Sequence, residues 1–245
     1  TEIELIEILN DKNNTILFSW KHDAIASFGE LLSSQIIATA LQQTIPNSTF
    51  KDSRELIKTN SNFGKASVDF ELTNKLVADY FGYNKSQVVL LPGFIASDEL
   101  ENTTTLGRGG SDYTAAIIAN GTKSDALEIW TDVNGMFTAN PKIVKQAQPI
   151  ESISYQEAME LSHFGAKVLY PPTIQPVLNS QIPIWIKNTF EPQAFGTYIS
   201  NENQASNNPI KGISHIDKIA LLTLEGSGMI GVAGSSKRLF EVLSK

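Results

Sequence analysis

A glycine-rich stretch between an apolar run and a helical pattern constrains this chain most. Val88 to Ile95 reads as a buried strand and Tyr113 to Ala119 as a helix. Between them runs Thr105-Leu-Gly-Arg-Gly-Gly-Ser-Asp-Tyr-Thr-Ala-Ala116. Glycines let backbone N–H groups approach an anion without interference from Cβ, and a helix start adds about half a unit of positive charge. Arg108 supplies a planar fork suited to a carboxylate or phosphate. The stretch reads as an anion site built on Arg108, Gly109, Gly110 and Ser111. It lacks the Gly-x-x-x-x-Gly-Lys-Ser/Thr phosphate loop, and Asp112 stands where a dinucleotide fingerprint needs its third glycine. The same residues are equally compatible with a glycine-rich turn and an exposed arginine, Ser111 capping the helix and Asp112 favouring its dipole.

Around this stretch, helical and strand patterns alternate. Apolar positions 28, 31, 32, 36, 37 and 41 predict an amphipathic helix over Ser27 to Gln42, with Glu30 in its first turn. An acid there either complements the helix dipole or reads a substrate ammonium. Ser48 to Phe50 reads as a short strand, Ser53 to Lys58 as a helical turn, and Asn60 to Lys65 as a loop. Val68 to Phe81 reads as a helix stopped near Gly82, and Asn120-Gly121 as the turn before strand Ala126 to Trp130. Ser154 to Glu157 is a capping box that starts a helix to Phe164. Pro171 to Leu178 is a short helix, and Ile182 to Ile186 a strand. This order predicts a largely parallel sheet covered on both faces, with ligands at the carboxyl ends of its strands.

Thr131-Asp132 falls at such an end. Phe137 beyond it either stacks on a nucleobase or fills the core edge. Lys167 is either a helix-dipole partner or a point-charge clamp on phosphate.

At 245 residues with 41% hydrophobic content, the chain has room for one large α/β domain or a domain plus a fragment. A net charge of −7 disfavours non-specific binding to nucleic acid or an anionic membrane. The absence of cysteine excludes disulfides, thiolate catalysis and zinc–cysteine sites. No uninterrupted apolar run reaches the ~20 residues of a membrane span, and no signal peptide opens the chain, so a cytoplasmic location is expected. Ser200 to Pro209 is polar and reads as a linker. Beyond it Ile219 to Leu224 reads as a strand, Glu225 to Gly231 as a loop and Ser235 to Leu243 as a helix. One strand–helix unit cannot bury its own apolar surface, so it must pack on something else or belong to a shortened domain.

Several stretches, taken in order, resemble the aspartokinases: Ser27-Phe-Gly-Glu-Leu-Leu-Ser33, Asn62-Phe-Gly-Lys-Ala66, Thr105 to Ala115, Trp130-Thr-Asp-Val-Asn-Gly135 and Phe164-Gly-Ala-Lys-Val-Leu169. Ile210-Lys-Gly-Ile-Ser214 and Glu225-Gly-Ser-Gly-Met229 resemble the start of that family's ACT region, as found in bifunctional aspartokinase–homoserine dehydrogenases. The resemblance implies an α/β amino-acid-kinase fold, a three-layer sandwich with a mostly parallel central sheet. It implies a catalytic domain over 1–199, a linker over 200–210, and an incomplete ACT-type strand–helix fragment over 211–245.

The implied reaction moves the γ-phosphoryl group of ATP, with Mg²⁺ on the nucleotide phosphates, to the side-chain carboxylate of L-aspartate. By the same resemblance Glu30 meets the substrate ammonium. Arg108, Gly109, Gly110 and Ser111 hold its carboxylate, and Asp112 organises the loop. Thr131, Asp132, Phe137, Lys142, Lys167 and Val168 form the ATP side, with Arg108, Asp112 and Lys167 as the catalytic set. A homo-oligomer fused to a homoserine dehydrogenase is implied as well, with no nucleic-acid or membrane partner.

Three features depart from the family pattern. No Lys-Phe-Gly-Gly-Thr-Ser segment occurs, which would remove a phosphate-binding lysine and impair activity severely. Phe137-Thr-Ala-Asn-Pro-Lys142 replaces Tyr-Thr-Thr-Asp-Pro-Arg, and Tyr170-Pro-Pro-Thr173 replaces His-Pro-Ala-Thr. The competing expectations are a catalytically silent ligand-binding regulatory module, or a kinase of this fold acting on another acidic acceptor.

Overall fold

The computed structural model describes residues 18–163, 169–202, 210–216, 237 and 240–242. They fall into two units divided between His215 and Ile216. The first opens with α1 (Phe18–Thr44), β1 (Ser48–Phe50), a 3-10 turn (Ser53–Glu55) and α2 (Phe70–Tyr83). Then come β2 (Val88–Leu90), β3 (Ile95–Ser97), β4 (Thr103–Thr105), α3 (Gly110–Thr122), β5 (Leu127–Thr131) and β6 (Ser152–Ser154). It closes with α4 (Tyr155–His163), a 3-10 turn (Pro171–Ile174), α5 (Gln175–Asn179), β7 (Ile184–Asn188) and β8 (Thr197–Ser200). In the second unit Lys237 and residues 240–242 are helical, within the expected Ser235 to Leu243 helix. The expected strand Ile219 to Leu224 and the linker residues 203–209 lie outside the described residues.

Strand pairing is mostly parallel. β1 pairs with β2, β5 with β7 and β6 with β8 in parallel, while β3–β4 and β7–β8 are antiparallel. The four-stranded sheet runs β5-β7-β8-β6. Leu127, Ile129, Ile153, Ile184, Ile186 and Ile199 from it pack with Ala116, Ala119, Ala158, Ile174 and Val177 in the larger core. A second core gathers Leu56, Ile57, Val77, Ala96, Leu106 and Ile117. Helix α3 serves both cores, with Ala116 and Ala119 in one and Ile117 in the other. That shared burial fixes the helix whose start carries the glycine loop.

Several boundaries differ from the sequence expectation, each for a tertiary reason. The run Val88 to Ile95 is two strands broken at Pro92-Gly93-Phe94, where Phe94 adopts φ 70°. The second of them turns to pair with Thr103–Thr105. Helix α2 starts at Phe70 because Asp69 caps it by accepting from Leu72 N–H, and Gly82 lies inside the helix. Asn120-Gly121 is helical too, because α2 and α3 pack so closely that a Cβ on Gly121 would stand 2.7 Å from Val77. The capping box is formed: Ser154 N–H and Oγ both donate to Glu157, and Glu157 N–H donates to Ser154 Oγ. Burial alone would raise the Glu157 carboxyl, but Ser154 and Lys211 outweigh it and hold the group below its ordinary value. Ile213 N–H donates to Thr138 O, so residues 211–215 pack on the first unit and not beyond a linker ending at 210.

Helix α1 differs most. It begins at or before Phe18, so Glu30 lies in its middle and not in a first turn. Its buried stripe is Asp23, Ala24, Ser27, Ser34 and Ala38, whereas Leu32, Ile36 and Ile37, expected to face the core, are exposed. Small residues on that stripe suit close approach to β1 and β4, the elements it packs against. Against the expectation that no segment could span a membrane, Trp20–Thr44 is long and apolar enough to do so by length and composition. In this fold the same helix is tied to the domain by Gly93 N–H donating to Glu30 and Thr105 N–H donating to Asp23.

Tyr155, 5% exposed, donates its hydroxyl to Ile182 O and so fastens α4 to the turn before β7. Burial, aided by Tyr198, pushes its phenol up to about 12. The folded state therefore holds this proton where the unfolded chain, titrating near an ordinary value of about 10, releases it. Its stabilisation is complete below pH ~10 and is lost as pH rises towards ~12. Tyr155→Phe is expected to cost about 1–2 kcal/mol at neutral pH and to flatten the alkaline decline. Urea unfolding at stepped pH measures both effects.

Candidate functional site

Strand β4 delivers the glycine loop to the start of α3. The turn closes with Gly110 N–H donating to Gly107 O at 3.1 Å. Gly109 is the N-cap, in the left-handed region at φ 69°, where a side chain is disfavoured. Ser111, expected as the cap, lies instead in the first turn. Gly110 N–H is thus spent within the turn, while the N–H groups of Ser111 and Asp112 have no acceptor within the helix, as at any helix start. Asp112 occupies the same turn, and burial pushes its carboxyl above the ordinary value.

The loop is held from below by the break in the Val88 to Ile95 run. Phe94 N–H donates to Thr114 Oγ1 at 3.0 Å, and Thr114 Oγ1 donates back to Gly110 O at 2.9 Å. Gly93 lies so close that a Cβ there would sit 2.9 Å from Ser111 Cα. Its N–H donates to Glu30 Oε1 at 3.0 Å, bringing the α1 carboxylate to the foot of the loop. Glu30 and the Gly110-Ser111 pair, far apart in sequence, therefore meet through the Gly93-Phe94 turn. Sequence reading treated Gly93 and Phe94 as ordinary strand; a glycine–aromatic pair after Pro92 was the available signal.

Arg108 is exposed, and its guanidinium lies 5.5 Å from the centroid of the Tyr170 ring. Among the described residues no ion pair occupies it. Tyr170, noted in the sequence only as a replacement, is a cation–π partner that limits where the fork can point.

Thr131 and Asp132 lie where expected, at the carboxyl end of β5. Thr131 Oγ1 donates to Asp132 Oδ1 at 3.3 Å, and Thr189 N–H donates to Thr131 O at 2.8 Å. The segment that follows is braced by Thr197, which is fully buried, accepts from Met136 N–H and donates to Ile150 O. Phe137 is half-buried and bridges to Pro149, a position suited to an edge of a flat ligand. Lys142 is exposed, its N–H donating to Asn140 Oδ1. These residues form a second group, joined to the loop through α3, which packs on β5. Lys167 and Val168 lie outside the described residues. Among the described residues no three His, Asp or Glu side chains converge as a metal site.

An anion-facing loop on a helix start, with a carboxylate beside it and a strand end one element away, can hold a zwitterion next to a phosphate donor. Residues 4–188 match the model of the amino acid kinase family. The chain is 39% identical over 222 residues to a bifunctional aspartokinase/homoserine dehydrogenase of Buchnera aphidicola, covering 90% of this chain and 27% of that protein. It is 35% identical over 225 residues to lysine-sensitive aspartokinase 3 of Escherichia coli, covering 91% of this chain and 50% of that protein. A crystal structure of E. coli aspartokinase III with aspartate and ADP superposes with a TM-score of 0.73 at 35% identity, covering 82% of this chain and 44% of that one. The chain therefore spans half or less of the length of these relatives. With the family match running over residues 4–188 and taking in α1 through β7, the chain belongs to the amino acid kinase family.

Proposed function

We propose that this chain supplies the acceptor wall and part of the nucleotide wall of an aspartate kinase, which transfers the γ-phosphoryl group of ATP to the side-chain carboxylate of L-aspartate to give 4-phospho-L-aspartate. The observation that carries this reading is the placement of Glu30 and the Arg108 loop against one turn, Gly93-Phe94. Glu30 meets the ammonium of an α-amino acid, and Arg108 with the Gly109–Ser111 backbone meets its carboxylate. A nucleotide has no ammonium for Glu30, so this pair disfavours nucleotide acceptors.

The aspartate side chain is already ionised at neutral pH, its ordinary pKa being about 3.9, so transfer needs no general base. What it needs is alignment of two anions and positive charge around them. Arg108 supplies charge and orientation on the acceptor side. Thr131, Asp132, Phe137 and Lys142 fit the nucleotide side, where Lys142 contributes a point charge without the fork of an arginine. Mg²⁺ would reach the site on the nucleotide phosphates and there neutralise part of their charge. Fusion to a homoserine dehydrogenase in the complete reading frame belongs to the same proposal and is supported by the names of similar proteins.

ADP release by the complete protein with Mg-ATP, comparing aspartate, glutamate and UMP, tests this reading. Turnover with aspartate above an Arg108→Ala control is the expected result. Binding without turnover would leave a regulatory module, and preference for another acceptor would replace aspartate. Tyr170→Leu is expected to raise the aspartate KM about 3- to 10-fold by freeing the Arg108 fork, and an unchanged KM would remove the ring from that role.

A further inference from the structure

Asp23 is a fully buried carboxylate that the proposed reaction does not use. Its Oδ2 accepts from Gly64 N–H at 2.8 Å and from Thr105 N–H at 2.9 Å, and its Oδ1 accepts from Thr105 Oγ1 at 3.0 Å. Among the described residues its nearest cationic candidate is His22, with Nδ1 at 3.7 Å and its side chain largely exposed. A buried carboxylate held mainly by neutral donors is costly to desolvate, and the geometry it imposes is what it returns.

That geometry joins three segments. Thr105 ends β4, three residues before Arg108, and its carbonyl also accepts from Ala66 N–H. Gly64 lies in the Asn60 to Lys65 loop, whose carbonyl would stand 3.2 Å from a Cβ on Gly107. The other end of that loop is held by Asp98, 1% exposed, which accepts from Ser61 Oγ at 2.9 Å. Asp23 itself lies on α1 seven residues before Glu30, two turns or about 10 Å away along the same side of the helix. One side chain therefore fastens the helix carrying the ammonium reader to the strand carrying the carboxylate reader.

We propose that Asp23 is a positioning residue that holds Glu30 and Arg108 at the ammonium-to-carboxylate span shared by α-amino acids, and so favours them over β- and γ-amino acids. This rests on the aspartate kinase reading above. Asparagine can fill the same role: its oxygen replaces Oδ2, and its NH₂ donates to the Thr105 hydroxyl, which reverses. Alanine cannot.

The test compares Asp23→Asn, Asp23→Ala and Thr105→Val in the complete protein, measuring KM for aspartate and for Mg-ATP separately, with thermal unfolding alongside. Asp23→Ala is expected to raise the aspartate KM by about ten- to a hundredfold while the ATP KM stays within about twofold. Asp23→Asn should recover most of that loss, and Thr105→Val should raise the aspartate KM about threefold. Equal rises in both KM values, or an unchanged aspartate KM in folded Asp23→Ala, would overturn the assignment. If Asp23→Ala does not fold, the decision passes to Thr105→Val, where an unchanged aspartate KM overturns it. Wild-type protein that neither binds nor phosphorylates aspartate is a separate outcome: it removes the kinase reading first and the Asp23 assignment with it.

Discussion

Arg108→Ala is expected to lower kcat/KM for aspartate by about 10²- to 10³-fold, the equivalent of roughly 3–4 kcal/mol of charge-assisted, two-point contact. The arginine is exposed, so removing it leaves no buried partner stranded and the fold should be unaffected. The Tyr170 ring, 5.5 Å from the guanidinium, limits where the fork can point. Arg108→Lys keeps the charge but loses the two-point geometry, so its loss should be intermediate, about tenfold to a hundredfold. Steady-state kinetics with aspartate varied at saturating Mg-ATP give these ratios, and unaltered thermal unfolding would confirm that the effect is local. A variant within threefold of wild type would remove Arg108 from the acceptor wall.

Gly196→Ala is expected to destabilise the first unit by more than about 3 kcal/mol. Gly196 sits at φ 79°, immediately before β8, and a Cβ there would stand 2.2 Å from the carbonyl oxygen of Ile186. That oxygen belongs to a central strand whose partners on both sides are fixed, so the backbone cannot yield without opening β7–β8. Next to Gly196, Thr197 holds both Met136 N–H and Ile150 O. Displacement would pass into the segment carrying Phe137 and Lys142. Urea unfolding should show a lower midpoint, and the Mg-ATP KM should rise in whatever fraction remains folded. An alanine variant as stable as wild type would mean that β8 can shift away from β7.

Where a signal was local, the sequence carried it. The capping box at Ser154–Glu157 lies within one turn, and its hydrogen bonds form as the residue types require. Pro171-Pro172 enters a short helical segment for the same reason: a fixed φ and a missing donor suit a helix start. The alternation of helix and strand around Leu127–Thr131 placed Thr131-Asp132 at a strand end, because two-residue periodicity depends only on neighbours. The glycine loop was legible as a turn into a helix start, since its conformation resides in consecutive backbone groups.

What failed to show in the sequence involves residues far apart in the chain. Leu32, Ile36 and Ile37 have the spacing of a core face, yet β1 and β4 approach the small-residue stripe of α1 instead. Periodicity identifies a helix but not which of its faces a neighbour can reach most closely. Phe94 at φ 70° is compatible with any sequence rule for a strand until Thr114, twenty residues on, takes its N–H. Asp23 reads as an unremarkable acid until Gly64 and Thr105 converge on it, 41 and 82 residues away.

By itself, then, the sequence determined that this protein is an α/β chain with a glycine-rich loop on a helix start, because those features arise from neighbouring residues. Only the tertiary structure decided that Glu30 meets that loop, that Tyr170 backs Arg108, and that the buried Asp23 carboxylate ties α1 to Gly64 and Thr105. Those depend on hydrogen bonds and packing between segments that chain order leaves unconnected.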